Sequence, residues 1–112
     1  MSWLFLISRD IDIPSKCSNN LVMVIFHEDK RQLNIKNHGI DFVGCEIVFA
    51  GLTITREDNR NIYSEIHLQT LGLFNGVVVF IAHTPRDNND HIISIRKAEK
   101  HEEKLYWKHF RA

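Results

Sequence analysis

The clearest structural signal in this 112-residue chain is the stretch EIHLQTLGLFNGVVVFIA, residues 65–82. Polar and apolar side chains alternate over its first half, as in a β-strand with one buried face. Asn75-Gly76 then predicts the two-residue turn of a hairpin, because both positions tolerate positive φ. The run Val77–Ala82 is apolar throughout, so we expect it to be a central strand with both faces covered.

The turn also predicts the register of this hairpin. Counting back from Phe74 opposite Val77, the expected pairs are Thr70 with Ile81, Gln69 with Ala82 and His67 with Thr84. The face expected to pack against helices carries Ile66, Leu68, Thr70, Val79 and Ile81. The opposite face carries Glu65, His67, Gln69, Ala82 and Thr84. This mixed polar face is either a candidate concave binding site or the ordinary solvated face of an antiparallel sheet.

A second informative stretch, HIISIRKAEKHEEKLYWKHF at residues 91–110, follows the hairpin. It predicts a third long strand, Ile92–Ile95, which ends in the cationic pair Arg96-Lys97 and leads straight into a helix. The apolar stripe of that helix consists of Ala98, Glu102, Leu105, Tyr106 and Phe110. Glu102 is therefore expected on the buried side of the helix, one turn before Tyr106.

Arg96 and Lys97, beside a half-buried acid and a phenol, can form an anion site with proton-transfer groups. The alternative is a strand–helix junction with solvated charges. The residues alone favour this alternative, because charge pairs at the ends of elements are usually solvated. The register of the third strand stays open, so the sequence does not tell which of the two cations points to the polar face.

Two helices are expected before the hairpin. The first runs from Asp29 to His38 and ends at Gly39, with Leu33 and Ile40 as its apolar anchors. The second runs from Asp41, a suitable cap, through Ala50, and Gly51 stops it. Its apolar members are Phe42, Cys45, Ile47, Val48 and Phe49.

The remaining segments are short. Val24–Phe26 and Thr53–Thr55 are expected to be strands, and Arg56–Asn61 and Pro85–Asp90 are expected to be polar loops. The order is β-α-α-(β)-β-β-β-α, in which three consecutive strands joined by short loops must be antiparallel. The fold class is therefore α+β: a small antiparallel sheet with two N-terminal helices and one C-terminal helix.

The length predicts one domain with one core. Residues 1–22 differ in pattern from the rest of the chain. We interpret them as an N-terminal extension ahead of a domain that spans residues 23–112. The extension is an extra strand or ordered arm, a loose tail, or sequence upstream of a start at Met23, and the sequence leaves these alternatives open.

Composition and charge limit the possible functions. The chain has 14 Lys and Arg and 14 Asp and Glu, so its formal net charge is zero and nucleic-acid binding requires a local cationic patch. No apolar run approaches membrane-spanning length, and the start of the chain lacks the basic region and cleavage site of a signal peptide. We therefore expect a cytoplasmic protein without membrane association.

The histidines and cysteines do not predict a metal or thiol site. His101 and His109 lie eight positions apart on one helix, too far to chelate one ion. Cys17 and Cys45 are isolated, so we expect both to be reduced thiols, with Cys45 in the apolar stripe of a helix. Phosphate-binding and nucleophile signatures are absent as well. The sequence predicts no metal and no cofactor.

Several blocks of the chain resemble, in order, the signature of the BrnT family. The first is Asn34-Ile35-Lys36-Asn37-His38-Gly39-Ile40-Asp41-Phe42, read with Val48-Phe49. The later blocks are Glu57-Asp58, Thr70-Leu71-Gly72 and Ile92–Ala98, with Glu102 and Tyr106. The resemblance covers Met23 to Tyr106, and several blocks in register are more specific than any one of them.

This resemblance implies a toxin of a bacterial type II toxin–antitoxin pair. BrnT proteins are ribonucleases with a RelE-like fold, and their partner, BrnA, neutralises the toxin and binds DNA. We therefore expect a metal-independent endoribonuclease that cleaves RNA, inhibits translation and arrests growth. A cognate BrnA-like antitoxin is expected to hold it in a hetero-oligomer.

Three positions depart from the family pattern. Asn37 stands where a Lys usually precedes His-Gly, and His67 stands where an Arg is common. Each change removes a fixed positive charge and is expected to weaken RNA affinity or turnover. Gly44-Cys45 replaces a usual pair of small helix formers. Residues 1–22 have no counterpart in the family pattern.

The implied chemistry assigns roles to particular residues. RNA cleavage without a metal uses the ribose 2′-hydroxyl as nucleophile and needs a base, an acid and cations at the phosphorane. Arg96 and Lys97 are the expected phosphate contacts, with Lys36 and His38 as further RNA-binding residues. Glu102, His67 and Tyr106, in that order, are the candidates for proton transfer. Burial of Glu102 on an apolar face can raise its pKa, whereas the alternative is an ion pair with Arg96 or Lys97.

A second function of another class stays open. The same fold, weakened as a catalyst at Asn37 and His67, can serve as a non-catalytic module that only binds its antitoxin. RNA cleavage by the purified protein in EDTA distinguishes the two possibilities.

Overall fold

The computed structural model describes residues 6–7, 23–58, 65–86 and 89–110 of the chain. These residues form six strands and three helices. In chain order they are β1 (Leu6–Ile7), β2 (Met23–Ile25), α1 (Glu28–His38), α2 (Glu46–Ala50), β3 (Ile54–Glu57), β4 (Leu68–Phe74), β5 (Val77–Arg86), β6 (Asn89–Lys97) and α3 (Lys100–Phe110). The strands form one sheet in the order β1-β3-β4-β5-β6-β2. The α+β class is confirmed for the described residues.

The central hairpin has the predicted register. Asn75 and Gly76 adopt φ of 55° and 82°, the positive values that the turn requires. Phe74 pairs with Val77 and, further along, Thr70 pairs with Ile81. β3 is antiparallel to β4 and β5 is antiparallel to β6, but β2 runs parallel to β6 at the edge of the sheet. The sheet is therefore mixed, and the prediction of a purely antiparallel sheet is wrong at that edge.

Helices pack on both faces of the sheet. On one face, called here the α1–α2 face, the buried residues are Phe42, Cys45 and Val48 against Val79, Ile81, Ile92 and Ile95. On the other face, the α3 face, Tyr106 packs with Ile54, Leu71, Val78 and Phe80. The expectation that one face packs all the helices is therefore wrong. The run Val77–Ala82 explains why, since it is apolar on both sides and each side needs cover.

Asn34 joins α1 to the outer edge of β6. Its side chain is 4% exposed. Its amide nitrogen donates to the carbonyls of Ile40 and Ile95, both at 2.9 Å, and its oxygen accepts the Ile95 N–H at 3.0 Å. The amide thus satisfies both backbone groups of Ile95, as a neighbouring strand would.

α1 ends as predicted and is anchored differently from expectation. Gly39 has a φ of 72° and donates its N–H to the carbonyl of Ile35, which is a left-handed C-terminal cap. Leu33, an expected apolar anchor, is 55% exposed and does not fill that role. The helix is mostly polar, and a buried amide rather than an apolar stripe ties it to the sheet.

α2 is shorter than predicted. It begins at Glu46, because Asp41 is not its cap: one Asp41 oxygen accepts the Val43 N–H, and both oxygens pair with Arg31 at 2.7 and 3.0 Å. Val48 of α2 lies against β4 where the strand has Gly72. A Cβ added there would lie 2.5 Å from Cγ1 of Val48, so Gly72 permits this close packing. Ile47, expected to be buried, is 61% exposed.

Several element boundaries also differ from the sequence-based expectations. Arg56 and Glu57 belong to β3, and Pro85 pairs with Asp90, so the expected loops at 56–61 and 85–90 are partly strand. Asp58 follows β3 outside the strand, and residues 59–61 and 87–88 lie outside the described residues. α3 begins at Lys100, because the Ala98 N–H still bonds to the Val78 carbonyl and prolongs the sheet. Ile66, expected to pack against the helices, is exposed.

A β-bulge in β6 changes which side chains share a face. Ala82 pairs with Ser94 and the next residue, His83, pairs with Ile92, so Ile93 is the extra residue. Simple alternation from Arg96 would put His91 on the α1–α2 face. The bulge moves it to the α3 face and moves Ile92 into the core.

At the start of the chain, β1 pairs antiparallel with β3 through Leu6 with Thr55 and Ile7 with Ile54. The division between an extension at residues 1–22 and a domain at 23–112 stays a prediction. Cys17 lies outside the described residues. None of the described helices is long and apolar enough to cross a membrane.

Candidate functional site

The register of β6 answers the question that the sequence left open. Arg96 pairs with Phe80, a residue of the α3 face, whereas Lys97 pairs with Val79, a residue of the α1–α2 face. The carbon of the Arg96 guanidinium lies 4.0 Å from the centroid of the Phe80 ring, within cation–π distance. The Arg96 side chain keeps 29% of its surface exposed, so it can contact a ligand from solvent.

Glu102 holds the Arg96 guanidinium. The two carboxylate oxygens accept hydrogen bonds from Nη1 and Nη2 of Arg96 at 2.9 and 3.0 Å, in the bidentate geometry typical of this pair. One of these oxygens also accepts the Glu99 N–H at 2.8 Å, which fixes the carboxylate at the start of α3. The predicted position of Glu102 on the buried side of the last helix is confirmed, since it is 4% exposed.

Of the two interpretations of Glu102, the one in which burial raises its pKa is wrong. Burial alone would raise it, and this is the largest single influence on the carboxyl group. The hydrogen bonds from Arg96 and Glu99 and the charges of Arg96 and His101 together outweigh burial, so the pKa of Glu102 lies below its ordinary value. Glu102 is an ionised partner of Arg96, which was the alternative interpretation of the sequence.

Tyr106 lies in the core rather than in an open site. It is 2% exposed, and its hydroxyl donates a hydrogen bond to the Leu52 carbonyl at 3.0 Å. Burial raises the pKa of the phenol. Its ring contacts Trp107 and Phe110. The phenol is thus close to Glu102 along the helix, but its proton is used to anchor α3 to the segment before β3.

Lys97 and His38 line a different depression, on the α1–α2 side of the sheet. This groove, called here the Lys97 groove, has a volume of about 410 Å³. It lies between the end of α1 and the β4–β5 turn. Its lining residues are His38, Gly39, Ile40, Asp41, Val43, Phe74, Asn75, Val77, Val79 and Lys97. The expectation that Lys97 shares one pocket with Arg96, Glu102 and Tyr106 is therefore wrong, because adjacent strand residues point to opposite faces. Lys36 is exposed on α1.

The α3 face continues beyond Arg96 as a row of polar side chains. Arg56 pairs with Gln69, and its Nε donates to the Gln69 Oε1 at 2.6 Å. Gln69 pairs in turn with Ala82, and Ala82 with Ser94. Ser94 thus lies one step along β6 from Arg96 on the same face, and Arg56 lies in the same row three strands away on β3. Gln69 and Thr84, two members of the predicted mixed polar face, are buried, so that face is not solvated at these positions.

Two histidines lie near the end of this face. His91 pairs with Thr84 on the α3 face, and His67 lies just ahead of β4, where its carbonyl accepts the Asp58 N–H at 2.9 Å. Glu65 interacts electrostatically with both histidines. Its pKa is lowered, chiefly by hydrogen bonds from Arg86, with smaller contributions from the charges of His67 and His91. Both imidazoles are half-buried.

A scan against protein-family models matches residues 26–102 to a family described as the ribonuclease toxin BrnT of type II toxin–antitoxin systems. The match covers more than half of the chain. The chain belongs to the BrnT family. Membership implies a toxin of the ribonuclease class and an antitoxin partner. A search of curated protein sequences gives no match to the chain.

Two of the cationic or imidazole groups on the α3 face were missed in the sequence. Arg56 was assigned to a loop. His91 was placed at the start of a strand, and the sequence did not predict on which face of the sheet it lies. No local signal identifies His91, because its orientation depends on the bulge at Ile93. Arg56 could have been found by extending the strand at Thr53–Thr55, whose polar end resembles a loop in composition.

A buried polar chain on the α1–α2 face was also missed. Asp90 Oδ1 lies 2.6 Å from Nδ1 of His83, whose Nε2 lies 2.7 Å from the Thr70 hydroxyl. That hydroxyl lies 2.9 Å from the hydroxyl of Thr55. The order of acid, imidazole and hydroxyl matches that of hydrolase triads. Thr70 is fully buried, however, so in this BrnT protein the group holds strands together and no substrate reaches it.

Metal-ligating and thiol groups add little to the site. Glu99, His101 and Glu102 bring one ligand atom each within 4.8 Å of one another, but both oxygens of Glu102 are already bonded to Arg96. Cys45 is fully buried, and burial raises the pKa of its thiol to about 12. The predicted core position of Cys45 is confirmed, and a protonated thiol is a poor nucleophile.

Proposed function

We propose that the chain is an endoribonuclease toxin that cleaves RNA without a metal ion and thereby inhibits translation and arrests growth. Its sheet with flanking helices is proposed to be RelE-like, with residues 23–112 as the toxin unit. A BrnA-like, DNA-binding antitoxin is proposed to sequester it in the cytoplasm.

One observation carries the proposal: an arginine preorganised on an open polar face. Glu102 fixes the Arg96 guanidinium through two hydrogen bonds, and Phe80 supports its plane, while 29% of the Arg96 side chain stays exposed. A guanidinium held in this way can stabilise charge that develops on a phosphate without reorganising during the reaction. Arg56, three strands away on β3 and therefore about 14 Å across the sheet, is proposed as a second cation for the RNA backbone.

The proposed reaction joins the ribose 2′-oxygen to the adjacent phosphorus and breaks the bond from phosphorus to the 5′-oxygen. A base removes the 2′-hydroxyl proton, and an acid protonates the departing 5′-oxygen, which leaves a 2′,3′-cyclic phosphate and a 5′-hydroxyl. DNA lacks the 2′-hydroxyl, so this route selects RNA.

The geometry reorders the proton-transfer candidates. Glu102 becomes a positioning residue for Arg96, and Tyr106 is a buried structural phenol. His67 stays a candidate, and His91, which like His67 acts on the charge of Glu65, joins it. One imidazole can act as base while the other acts as acid. We propose His67 and His91 for these roles and Arg96 for the phosphorane, with the reacting phosphate lying between the β5 partners Thr84 and Phe80, which are about 13 Å apart along the strand.

The test is cleavage of a defined RNA by the purified chain in EDTA. We expect products with 2′,3′-cyclic phosphate ends, and no cleavage where a 2′-deoxynucleotide occupies the site. A matched pair of variants, His67→Gln and His91→Gln, should each lower kcat by at least about tenfold. Arg96→Ala serves as the inactive control.

The alternative, a non-catalytic module that binds the antitoxin, is favoured by the loss of fixed charge at His67. The same assay decides between the two. No cleavage at micromolar enzyme, together with tight antitoxin binding, would contradict the ribonuclease and support the module.

A further inference from the structure

The Lys97 groove is a concave feature of the described residues that the proposed reaction does not use. It lies on the opposite side of the sheet from Arg96. Two of its lining residues, Val43 and Val77, are large apolar side chains with 58% and 42% of their surface exposed. Exposed aliphatic side chains that line a concavity, with polar groups at the rim, indicate a surface where another molecule binds.

The groove holds one lysine, Lys97, which has no ion pair among the described residues. Asp41 is the one acidic residue among those lining the groove, and both of its oxygens are paired with Arg31 at 2.7 and 3.0 Å. This pairing lowers the pKa of Asp41 to about 2, so Asp41 is ionised at neutral pH and already bound to Arg31, which also pairs with Glu28 at 2.8 Å. Lys97 is therefore the cation of the groove that a ligand can pair with. The matching ligand carries apolar groups and at least one carboxylate.

We propose that the Lys97 groove is the docking site of an antitoxin segment, in which an aliphatic side chain fills the floor and a carboxylate pairs with Lys97. The proposal rests on the antitoxin partner that family membership implies, and it does not depend on whether the chain cleaves RNA. A polypeptide fits better than RNA, because four of the lining side chains are aliphatic, and of the rings only Phe74 and His38 offer a base a surface to stack on.

Two features of the groove favour binding of the segment: an apolar floor and a rigid turn beside it. The floor, formed by Ile40 and Val79, accepts an apolar side chain, as small buried pockets at protein interfaces do. The Asn75 side of the groove belongs to a two-residue turn with positive φ at both positions, so the backbone there is fixed before binding. A preformed site loses little entropy when a segment docks.

The experiment measures the dissociation constant for the antitoxin protein encoded beside this chain, using full-length proteins. Val77→Asp and Val43→Asp place carboxylates in the groove and should each weaken binding at least about tenfold. Leu33→Asp, at an exposed leucine of α1 that does not line the groove, is the matched control and should change it less than about threefold.

Salt dependence tests the charge. Binding should weaken as NaCl rises, and Lys97→Met should weaken it and flatten that dependence, because exposed ion pairs are screened. Lys104→Met, an exposed lysine of α3, should leave the slope unchanged. Arg96→Ala, on the opposite face, should leave the dissociation constant within about twofold.

Three outcomes would overturn the proposal. The first is an antitoxin dissociation constant that is unchanged in the Val77 and Val43 variants. The second is that Leu33→Asp weakens antitoxin binding as much as the groove variants do. The third is that the groove variants, but not Leu33→Asp, weaken binding of a fluorescent RNA. Far-ultraviolet circular dichroism confirms that each variant is folded. If the wild-type chain does not cleave RNA, the proposed ribonuclease is contradicted, whereas the result of this docking test still stands.

Discussion

The two faces of the sheet bury similar numbers of apolar side chains but differ in what their polar groups do. On the α1–α2 face the polar groups, such as Asn34 and His83, are buried and bonded to one another or to the backbone. On the α3 face Arg96 and the histidines are partly exposed. Adjacent residues of β6, Arg96 and Lys97, therefore serve different surfaces. Substitutions of the buried polar groups of the α1–α2 face should change stability, and substitutions of the partly exposed polar groups of the α3 face should change catalysis.

Arg96→Ala is expected to have the largest effect. Removing one preorganised donor to a developing oxyanion typically costs about 100- to 1,000-fold in kcat. We expect a loss of at least about 100-fold in kcat/KM for RNA. Lys97→Ala should lower kcat/KM by less than about threefold, because its side chain lies on the opposite face. A larger effect of Lys97 than of Arg96 would contradict the division between the faces.

Asn34→Ala tests the α1–α2 face. It removes three hydrogen bonds and leaves the Ile95 N–H and carbonyl unsatisfied, which we expect to lower the free energy of unfolding by about 2–4 kcal/mol. Asn37→Ala, exposed on the same helix, should change it by less than about 0.5 kcal/mol. Urea denaturation measures both. Equal effects of the two variants would show that the buried amide carries no special weight.

Glu102→Gln tests how Arg96 is held. The amide keeps one acceptor and loses the charge, so we expect kcat/KM to fall about tenfold while the RNA-binding surface stays in place. Glu102→Ala should cost more, and Glu103→Gln, exposed on the same helix turn, should cost nothing measurable.

The stability that the Arg96–Glu102 pair contributes depends on pH, and the sign of that dependence follows from the pKa of Glu102. The pKa of Glu102 is depressed below its ordinary value of 4.5, so the stability that ionised Glu102 contributes is present above pH 4.5. It is lost as the pH falls through the depressed folded-state pKa. Urea midpoints of wild type and Glu102→Gln should therefore converge below pH 4.5. A constant difference down to acid pH would mean that the charge of Glu102 is not what Gln removes.

Tyr106→Phe is expected to have the smallest effect. It removes one hydrogen bond, to the Leu52 carbonyl, and should lower the free energy of unfolding by about 1 kcal/mol. Cleavage per folded molecule should change by less than about twofold. A tenfold loss of kcat with unchanged stability would instead restore Tyr106 as a proton-transfer residue.

Local patterns predicted the parts of the fold that depend on neighbours in the chain. The turn at Asn75-Gly76 gave the β4–β5 register, because positive φ at two adjacent residues fixes a two-residue loop. Gly39 marked the end of α1 for a similar reason. Glu102 was placed on the buried side of α3 from helical spacing alone.

Features that depend on distant contacts were not predictable in this way. The faces of Arg96 and Lys97 require the β5–β6 register, which a longer loop leaves open. The position of His91 requires a bulge that no residue at Ile93 announces. Leu33 of α1 and Ile47 of α2 are apolar, yet both are exposed. α1 attaches to the sheet through the amide of Asn34 instead of through Leu33. The sign of the pKa shift of Glu102 followed from the guanidinium partner, which pattern alone does not supply.

The amide of Asn34 also blocks part of the outer edge of β6. β2 pairs with β6 only at Asn89–His91, so Ile95 lies on a stretch of outer edge that another copy could extend. Because Asn34 occupies both backbone groups of Ile95, an incoming strand finds no hydrogen-bond partner there. A single polar side chain thereby protects this part of the edge against pairing with a strand of another molecule.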